Sequence, residues 1–273
     1  MTLNIKISDF EISNKNKLTV IAGLNILESE DQTLETAIEL KKIISKTNSP
    51  FIFKASFDKA NRSSVDSYRG LGLKKSIEIF RLLKSEGFNL ITDIHEINQV
   101  DKIAEIVDVI QIPAFLCRQT DLIQAACETN KPLNIKKGQF LSPEQMQNII
   151  SKCSHFGNDQ IMLCERGTSF GYNNLVVDML GVSKLKKFGN PVIFDVTHSL
   201  QLPGGAGIAA DGRSSQALDL ALSGAALGLA GIFLEVHPDP SQALCDGPSA
   251  TKLDELEGFL SKINAVDNIV KTF

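Results

Sequence analysis

The sequence predicts an α/β protein of the (β/α)8 class, a TIM barrel carrying an N-terminal β-hairpin. Three observations lead there. Eight short β-rich runs recur along the 273 residues, and helix-length segments with apolar spacing near 3.6 separate them. One run plus one helix takes roughly thirty residues, the unit size of such a barrel. The first run is not followed by the G-x-G-x-x-G fingerprint, which disfavours an open doubly wound sheet.

The elements follow in chain order, as one domain over 1–273 with a hairpin at 1–17 and the barrel at 18–273. "LNIKISDFEISNKNK" (3–17) alternates apolar and polar residues about a polar turn, so it is expected to form a hairpin across the barrel's bottom. The strands are expected at 18–24, 51–56, 89–94, 109–114, 133–138, 160–166, 191–198 and 231–238. In "GLKKSIEIFRLLKSEG" (72–87), Leu73, Ile77, Phe80 and Leu83 fall on one side of a helix. "SPEQMQNIISKC" opens a helix with a Ser142 cap and Pro143 at the first helical position. Cys127 and Cys153 read as small core residues on helices, and His155 as a surface residue in a helix tail.

Composition excludes several classes. With a formal net charge of −4, the chain lacks the basic excess of a nucleic-acid binder or a polybasic membrane anchor. Five cysteines, odd in number and without a C-x-x-C pair, suggest neither a disulfide framework nor a thiolate zinc site. The start "MTLNIKISDF" has no apolar signal region, and no run approaches ~18 consecutive apolar residues. A cytoplasmic location, with no membrane and no nucleic-acid partner, is expected.

In such barrels chemistry gathers where the C-termini of the strands open. Here those ends carry Asn25, Lys54, Asp93, Gln111, Lys136, Arg166, then Asp195 and His198, then Glu235. Strand alternation aims Lys54, Asp93, Lys136, Arg166 and Glu235 inward, and Lys137 outward to the helices. A charge inside a filled barrel costs several kcal/mol, roughly, unless paired or ligand-bound, so a polar ring on nearly every strand points to a ligand. The run "FKASFDKANRSS" (53–64) leaves the second strand over this mouth and brings Lys59, Asn61, Arg62 and Ser63 to it. Lys54, Lys136 and Arg166 join Lys59 and Arg62 there, which suits a strongly anionic ligand with more than one phosphate or carboxylate. The glycine-rich 202–215 reads as a mobile lid with Arg213 a possible ligand contact, and His95 and His237 either line the mouth or support it.

These residues also carry a resemblance. "FKASFDKANRSSVDSYRGLG", "ITDIHE", "IQIPAFLCRQTDLI", "NIKKGQFLSPEQM", "CERGTSFGYNNLVVDM", "FDVTHSLQLPGG" and "CDGPSA" resemble the 3-deoxy-D-manno-octulosonate-8-phosphate synthase family, relatives of the 3-deoxy-heptulosonate phosphate synthases. The resemblance spans about Leu18 to Leu253 and implies an aldol-type transferase, a (β/α)8 barrel that condenses phosphoenolpyruvate with arabinose 5-phosphate for lipopolysaccharide inner-core synthesis. It implies that Lys59, Lys136, Arg166 and His198 hold phosphoenolpyruvate, with Lys54 bridging toward the aldose. Asn61, Arg62 and Ser63 would reach the distal sugar phosphate, joined by Arg118 from a neighbouring subunit of a homotetramer. Asp93, Gln111 and Phe115 fall with the substrate-binding residues. Asn25, Lys54, His198, Glu235 and Asp246 fall with the catalytic ones, and the last three are the candidates for handling water's proton.

On residues alone, His198, Glu235 and Asp246 form a plausible divalent-ion set. The family's metal-dependent form, however, carries cysteine where this chain has Asn25 in "AGLNILES", so no metal and no other cofactor is expected. Two other readings stay open: a heptulosonate phosphate synthase using erythrose 4-phosphate, disfavoured by Asn61-Arg62-Ser63, and a non-catalytic anion-binding barrel.

Overall fold

Alternating apolar residues near the chain's start pair first: β1 (Ile5–Ile7) lies antiparallel to β2 (Phe10–Ile12) across a turn in which Ser8 has a φ of 49°. The computed structural model describes residues 2–204 and 211–273. After the hairpin come β3 (Thr19–Leu24), α1 (Glu30–Ser45), β4 (Phe51–Ala55), α2 (Gly72–Ser85), β5 (Leu90–Asp93), α3 (Val100–Ala104), β6 (Val109–Ile112), α4 (Thr120–Glu128), β7 (Leu133–Lys136), α5 (Met146–His155) and β8 (Ile161–Glu165). A small antiparallel pair, β9 (Thr168–Ser169) with β10 (Leu175–Val176), leads into α6 (Met179–Lys186), β11 (Val192–Asp195) and the single turn α7 (Val196–Ser199). Next, β12 (Gln201–Leu202) pairs with β13 (Asp211–Gly212), followed by α8 (Ala217–Ala225), β14 (Gly231–His237), β15 (Thr251–Lys252) and α9 (Leu256–Val270).

Eight of these strands close a parallel barrel in the order β3-β4-β5-β6-β7-β8-β11-β14, with β14 pairing back onto β3. All eight expected runs are strands, and the expected barrel and hairpin are both present. Closure brings β3 and β4 so near that a Cβ at Gly23 would lie 1.9 Å from the Lys54 carbonyl oxygen. Only glycine fits there.

Period-two alternation divides the apolar residues into two cores. Val20, Phe53, Leu90, Ile110 and their kind point outward and pack under the helices. Ile21, Ile52, Ile91, Val109, Met162, Cys164, Ile193 and Phe233 point inward, and Ile5, Ile7 and Ile12 of the hairpin pack against them from below. The hairpin therefore floors the barrel, leaving its polar layer at the other end. Asp267, fully buried on α9, accepts the Leu18 N–H at 2.9 Å and ties the last helix to the same end.

Two expectations need adjusting. The seventh strand stops at Asp195, because its side chain caps a turn by accepting the His198 N–H at 3.0 Å; His198 therefore rides on α7. On α2, which packs against β5 and α1, the buried stripe is Ser76, Ile79, Phe80 and Leu83, with Leu73 and Ile77 half-buried at its margin. Ser142 and Gln145 form the expected cap around Pro143, Cys127 and Cys153 are buried, and His155 is exposed.

Candidate active site

Above the apolar layer, the same alternation lifts Lys54, Asp93, Gln111, Lys136 and Glu235 into the barrel's open end, with Arg166 one residue past β8. They line a cavity of about 330 Å³ together with Lys59, Asn61, His95, Phe115 and His198. The Phe233 ring is its base: the Lys136 ammonium stands 3.8 Å from the ring centroid and that of Lys54 5.5 Å. A larger hollow of about 980 Å³ lies on the outside, between α8, the segment after β14 and α9, and holds none of Lys54, Lys59, Lys136 and Arg166.

Lys54 is sequestered. Its ammonium donates to Glu235 Oε1 at 2.6 Å, to the Asn25 carbonyl at 3.0 Å and to the Leu24 carbonyl at 3.4 Å. Burial lowers its pKa to about 8 despite the Glu235 carboxylate beside it. Lys59 donates to Ser56 Oγ at 3.0 Å. Burial opposes its charge, but Asp93 and Glu235 prevail and raise its pKa. Asp93 in turn faces burial, which favours the acid form, yet Lys59 and His95 hold its carboxyl well below the ordinary value. His95 Nε2 sits 3.1 Å from Asp93 Oδ2.

Asp195 is the hub of a second cluster. It is fully buried, takes the Lys136 ammonium at 2.5 Å and lies 2.9 Å from His198 Nδ1. Burial works against its charge, but His198 and Lys136 depress its pKa. Burial also lowers the pKa of His198, even with Asp195 alongside. A neutral imidazole that donates from Nδ1 to Asp195 leaves the Nε2 lone pair facing the cavity, 3.7 Å from Glu235 Oε1.

At the rim, Asp246 occupies a left-handed backbone position, φ 52°, and accepts from Asn25 Nδ2 at 2.9 Å and Gln201 Nε2 at 3.0 Å. Although burial pushes the other way, His198 and Lys59 keep its carboxyl below the usual value. Arg62 donates to Cys245 Sγ at 2.7 Å and stands 3.8 Å from Asp246, and burial pushes the Cys245 thiol up to about 12. Arg166 is gripped from one side by Gln201 Oε1 at 2.9 Å. Burial lowers its pKa.

Buried polar atoms without a protein partner collect here. Among the described residues they include Asn25 Oδ1, Arg62 Nε, Asp93 Oδ1, His95 Nδ1, Arg166 Nη1 and Glu235 Oε2. Native proteins rarely leave such atoms unpaired, so the pattern is that of a ligand site. Both hydrogen-bond donors and acceptors are present, as a phosphorylated polyol would require.

The structure thus brings together Asn25, Lys54, Lys59, Asn61, Arg62, Asp93, Gln111, Lys136, Arg166, His198, Glu235 and Asp246, with the half-exposed Phe115 at the edge. Ser63 is exposed on the loop beyond Arg62, and Arg118 lies between the 114–116 turn and α4, outside the cavity. Arg213 turns away: it donates to Asn174 Oδ1 and the Leu175 carbonyl, serving the β10 segment. Of the expected lid, β12 and β13 pair at its base, and 205–210 lie outside the described residues. His95 lines the cavity, whereas His237 is held beneath Gln32 at 2.9 Å and only supports the rim. Gln201, absent from the expected set, links Arg166 to Asp246; it follows the helical turn after β11, where alternation gives no signal.

Comparison with known proteins agrees with this geometry. The model of the DAHP synthetase I family matches residues 3–272. A Hahella chejuensis protein named 2-dehydro-3-deoxyphosphooctonate aldolase is 54% identical over 274 residues, covering 100% of this chain and 97% of its own. Proteins of the same name from Pseudomonas fluorescens (strain Pf0-1) and Shewanella pealeana are each 54% identical, over 98% of this chain and 96% of theirs. The chain belongs to the DAHP synthetase I family.

Proposed function

We propose that the chain is an aldol-type transferase that condenses phosphoenolpyruvate with D-arabinose 5-phosphate and water, giving 3-deoxy-D-manno-octulosonate 8-phosphate and phosphate for lipopolysaccharide inner-core sugar synthesis. One observation carries this reading: Lys54, Lys59, Lys136 and Arg166 converge on a single buried cavity at the strand C-termini, among unpartnered donors and acceptors. The name of the 54% identical relatives supports it.

In the reaction, C3 of phosphoenolpyruvate attacks the sugar aldehyde, water adds to C2, and phosphate leaves by C–O cleavage. Lys136 and Arg166 hold the departing phosphate, and Lys59 the carboxylate. Lys54 stabilises the aldehyde oxygen as negative charge develops on it. Its short bond to Glu235 means that the incoming oxygen competes with a carboxylate already in place. Glu235, His198 and Asp246 surround the point where water must lose a proton, and the neutral His198 Nε2 with the unpartnered Glu235 Oε2 offers acceptors there.

Arg62 and Asn61 stand at the outer end of the cavity and reach the sugar phosphate, with Ser63 beyond them. Arg118, outside its own subunit's cavity, acts on a neighbouring one in a homotetramer. The enzyme works in the cytoplasm.

No metal is needed in this scheme. Asn25 offers a neutral amide where a thiolate would bind a borderline ion far more strongly, its Nδ2 donates to Asp246, and Glu235 Oε1 is taken by the Lys54 ammonium. Enzyme treated with chelator and verified by elemental analysis should keep full activity. Loss of activity that manganese or zinc restores would overturn this part.

The main test is phosphate release from phosphoenolpyruvate across a panel of aldose phosphates. Arabinose 5-phosphate should be preferred over erythrose 4-phosphate, and the reverse preference would return the heptulosonate reading. Arg62→Ala should raise KM for arabinose 5-phosphate by roughly 10- to 100-fold, the worth of a charged hydrogen bond, and leave that for phosphoenolpyruvate nearly unchanged. Equal losses for both substrates would remove Arg62 from the sugar-phosphate end.

A further inference from the structure

Two adjacent strand ends carry charged residues that alternate in direction. At the end of β7, Lys136 faces the cavity and Lys137, one residue beyond, faces out; at the end of β8, Glu165 faces out and Arg166, one residue beyond, faces the cavity. The proposed reaction uses the inward pair and leaves the outward pair without a role. Yet the Lys137 and Glu165 side chains are only 1% and 4% exposed. Apolar side chains would fill the same space without desolvating two charges, so packing alone does not account for them.

Their contacts do. Lys137 Nζ lies 3.0 Å from Thr168 Oγ1, 3.3 Å from the Leu141 carbonyl, 3.5 Å from the Gly138 carbonyl and 3.5 Å from Glu165 Oε1. That same Glu165 oxygen accepts the backbone N–H of Arg166 at 3.1 Å and of Gly167 at 2.7 Å. Gly167 has a φ of 88°, a left-handed position that turns the chain sharply once Arg166 has been placed. Nearby, the Ser169 N–H donates to the Gln139 carbonyl at 3.1 Å, fastening the segment after β8 to the segment after β7. Burial pushes the Glu165 carboxyl up, while Lys137 and the two N–H groups favour the carboxylate.

We infer that Lys137 and Glu165 are positioning residues for the phosphoenolpyruvate anion: the pair clamps the Arg166–Gly167 backbone between β7 and β8 and thereby fixes the direction in which the Arg166 guanidinium enters the cavity. Gln201 steadies the far end of that side chain. The inference rests on Arg166 being an anion-binding residue of the proposed reaction.

Glu165→Ala and Glu165→Gln separate positioning from mere stability. Both leave Lys137 without a counter-charge, so both should lower Tm to a similar degree, but the glutamine oxygen still accepts from both N–H groups. Calorimetric titration with phosphoenolpyruvate alone and steady-state kinetics with arabinose 5-phosphate are the measurements. In Glu165→Ala, Kd and KM for phosphoenolpyruvate should rise about tenfold or more, the effect of one to two lost hydrogen bonds, with KM for the sugar changed by less than about threefold. Glu165→Gln should restore most of the phosphoenolpyruvate affinity despite its lowered Tm. Equal shifts for both substrates, or a glutamine variant no better than alanine, would overturn the inference. If Glu165→Ala does not fold, Thr168→Val, which removes the shortest contact of Lys137, should weaken phosphoenolpyruvate by about threefold, and unchanged affinity would overturn it instead. Wild-type protein that binds phosphoenolpyruvate but releases no phosphate with arabinose 5-phosphate would sink the proposed reaction alone, because the titrations still report on the Arg166 anion site.

Discussion

Lys54→Met is expected to lose roughly 100- to 1,000-fold in kcat/KM, the usual cost of removing one donor from a developing oxyanion, and about 3–5 kcal/mol of stability, the cost of stranding a buried charge. The stranded group is Glu235, 3% exposed and bonded to Lys54 at 2.6 Å. Replacing both residues, as Lys54→Met with Glu235→Leu, should therefore recover most of the stability and none of the activity. The two losses have different causes, and the double variant separates them. Urea unfolding of the single and double variants supplies the cycle; a single variant as stable as wild type would show that the pair is not electrostatically coupled. The depressed pKa of Lys54, about 8, adds a check on the free enzyme. Because the catalytic form is the ammonium, kcat/KM should decline above about pH 8.

Asp195→Asn should be the other severe change. The carboxylate faces Lys136 and both the ring and backbone nitrogens of His198, so the amide leaves Lys136 uncompensated and the imidazole tautomer unfixed. A loss of roughly 100- to 10,000-fold in kcat is expected by analogy with amide replacements at other carboxylate–histidine pairs. Stability should change with pH as well. Asp195 has its folded pKa below 3.8, so the unfolded chain takes up a proton that the folded chain refuses as pH falls below that value. Its stabilisation is thus present above about pH 4 and lost on acidification, and Asp93 and Asp246 act in the same direction. His198 begins earlier, since its depressed pKa lets the unfolded chain bind a proton first below about 6.5. Each group contributes a slope of up to about 1.4 kcal/mol per pH unit in its window. Asp195→Asn should lose one such slope below pH 4, and an unchanged acid profile, or activity within threefold of wild type, would refute the assignment.

The barrel was legible because strand alternation and helical spacing are local, and the hairpin because its turn is polar between apolar runs. Inward aim followed from the same alternation, which is why Lys54, Lys136 and Glu235 could be placed from sequence. Contacts that depend on closure were not legible. Asn25 and Asp246 are 221 residues apart, and nothing near either one shows that they bond. Gln201 enters from a short piece after a helical turn, and His198 from that turn itself, where strand parity no longer applies. A cation in a glycine-rich stretch reads as a ligand contact, but Arg213 donates instead to Asn174 Oδ1 and the Leu175 carbonyl, 39 and 38 residues away in sequence. Lys137 was correctly aimed outward, yet its acidic partner lies on the next strand and became visible only with the register that sets Lys136 beside Cys164.

The hairpin floor also constrains the order in which the chain becomes native. Ile5, Ile7 and Ile12 precede every barrel strand in the chain, but the surface they cover includes Ile193 and Phe233, contributed by the last two barrel strands. The earliest segment must wait for the latest. Its other ties behave alike: Leu3 donates to the Gly189 carbonyl, and the Asn14 carbonyl accepts from Lys271. A growing chain can pair β3 through β8 as they emerge, yet the cover over its amphipathic start is complete only when β14 returns to β3 and the ring shuts. Sealing of the floor is therefore a late event in folding, in a topology whose long-range pairings make folding slow and leave its intermediates open to aggregation.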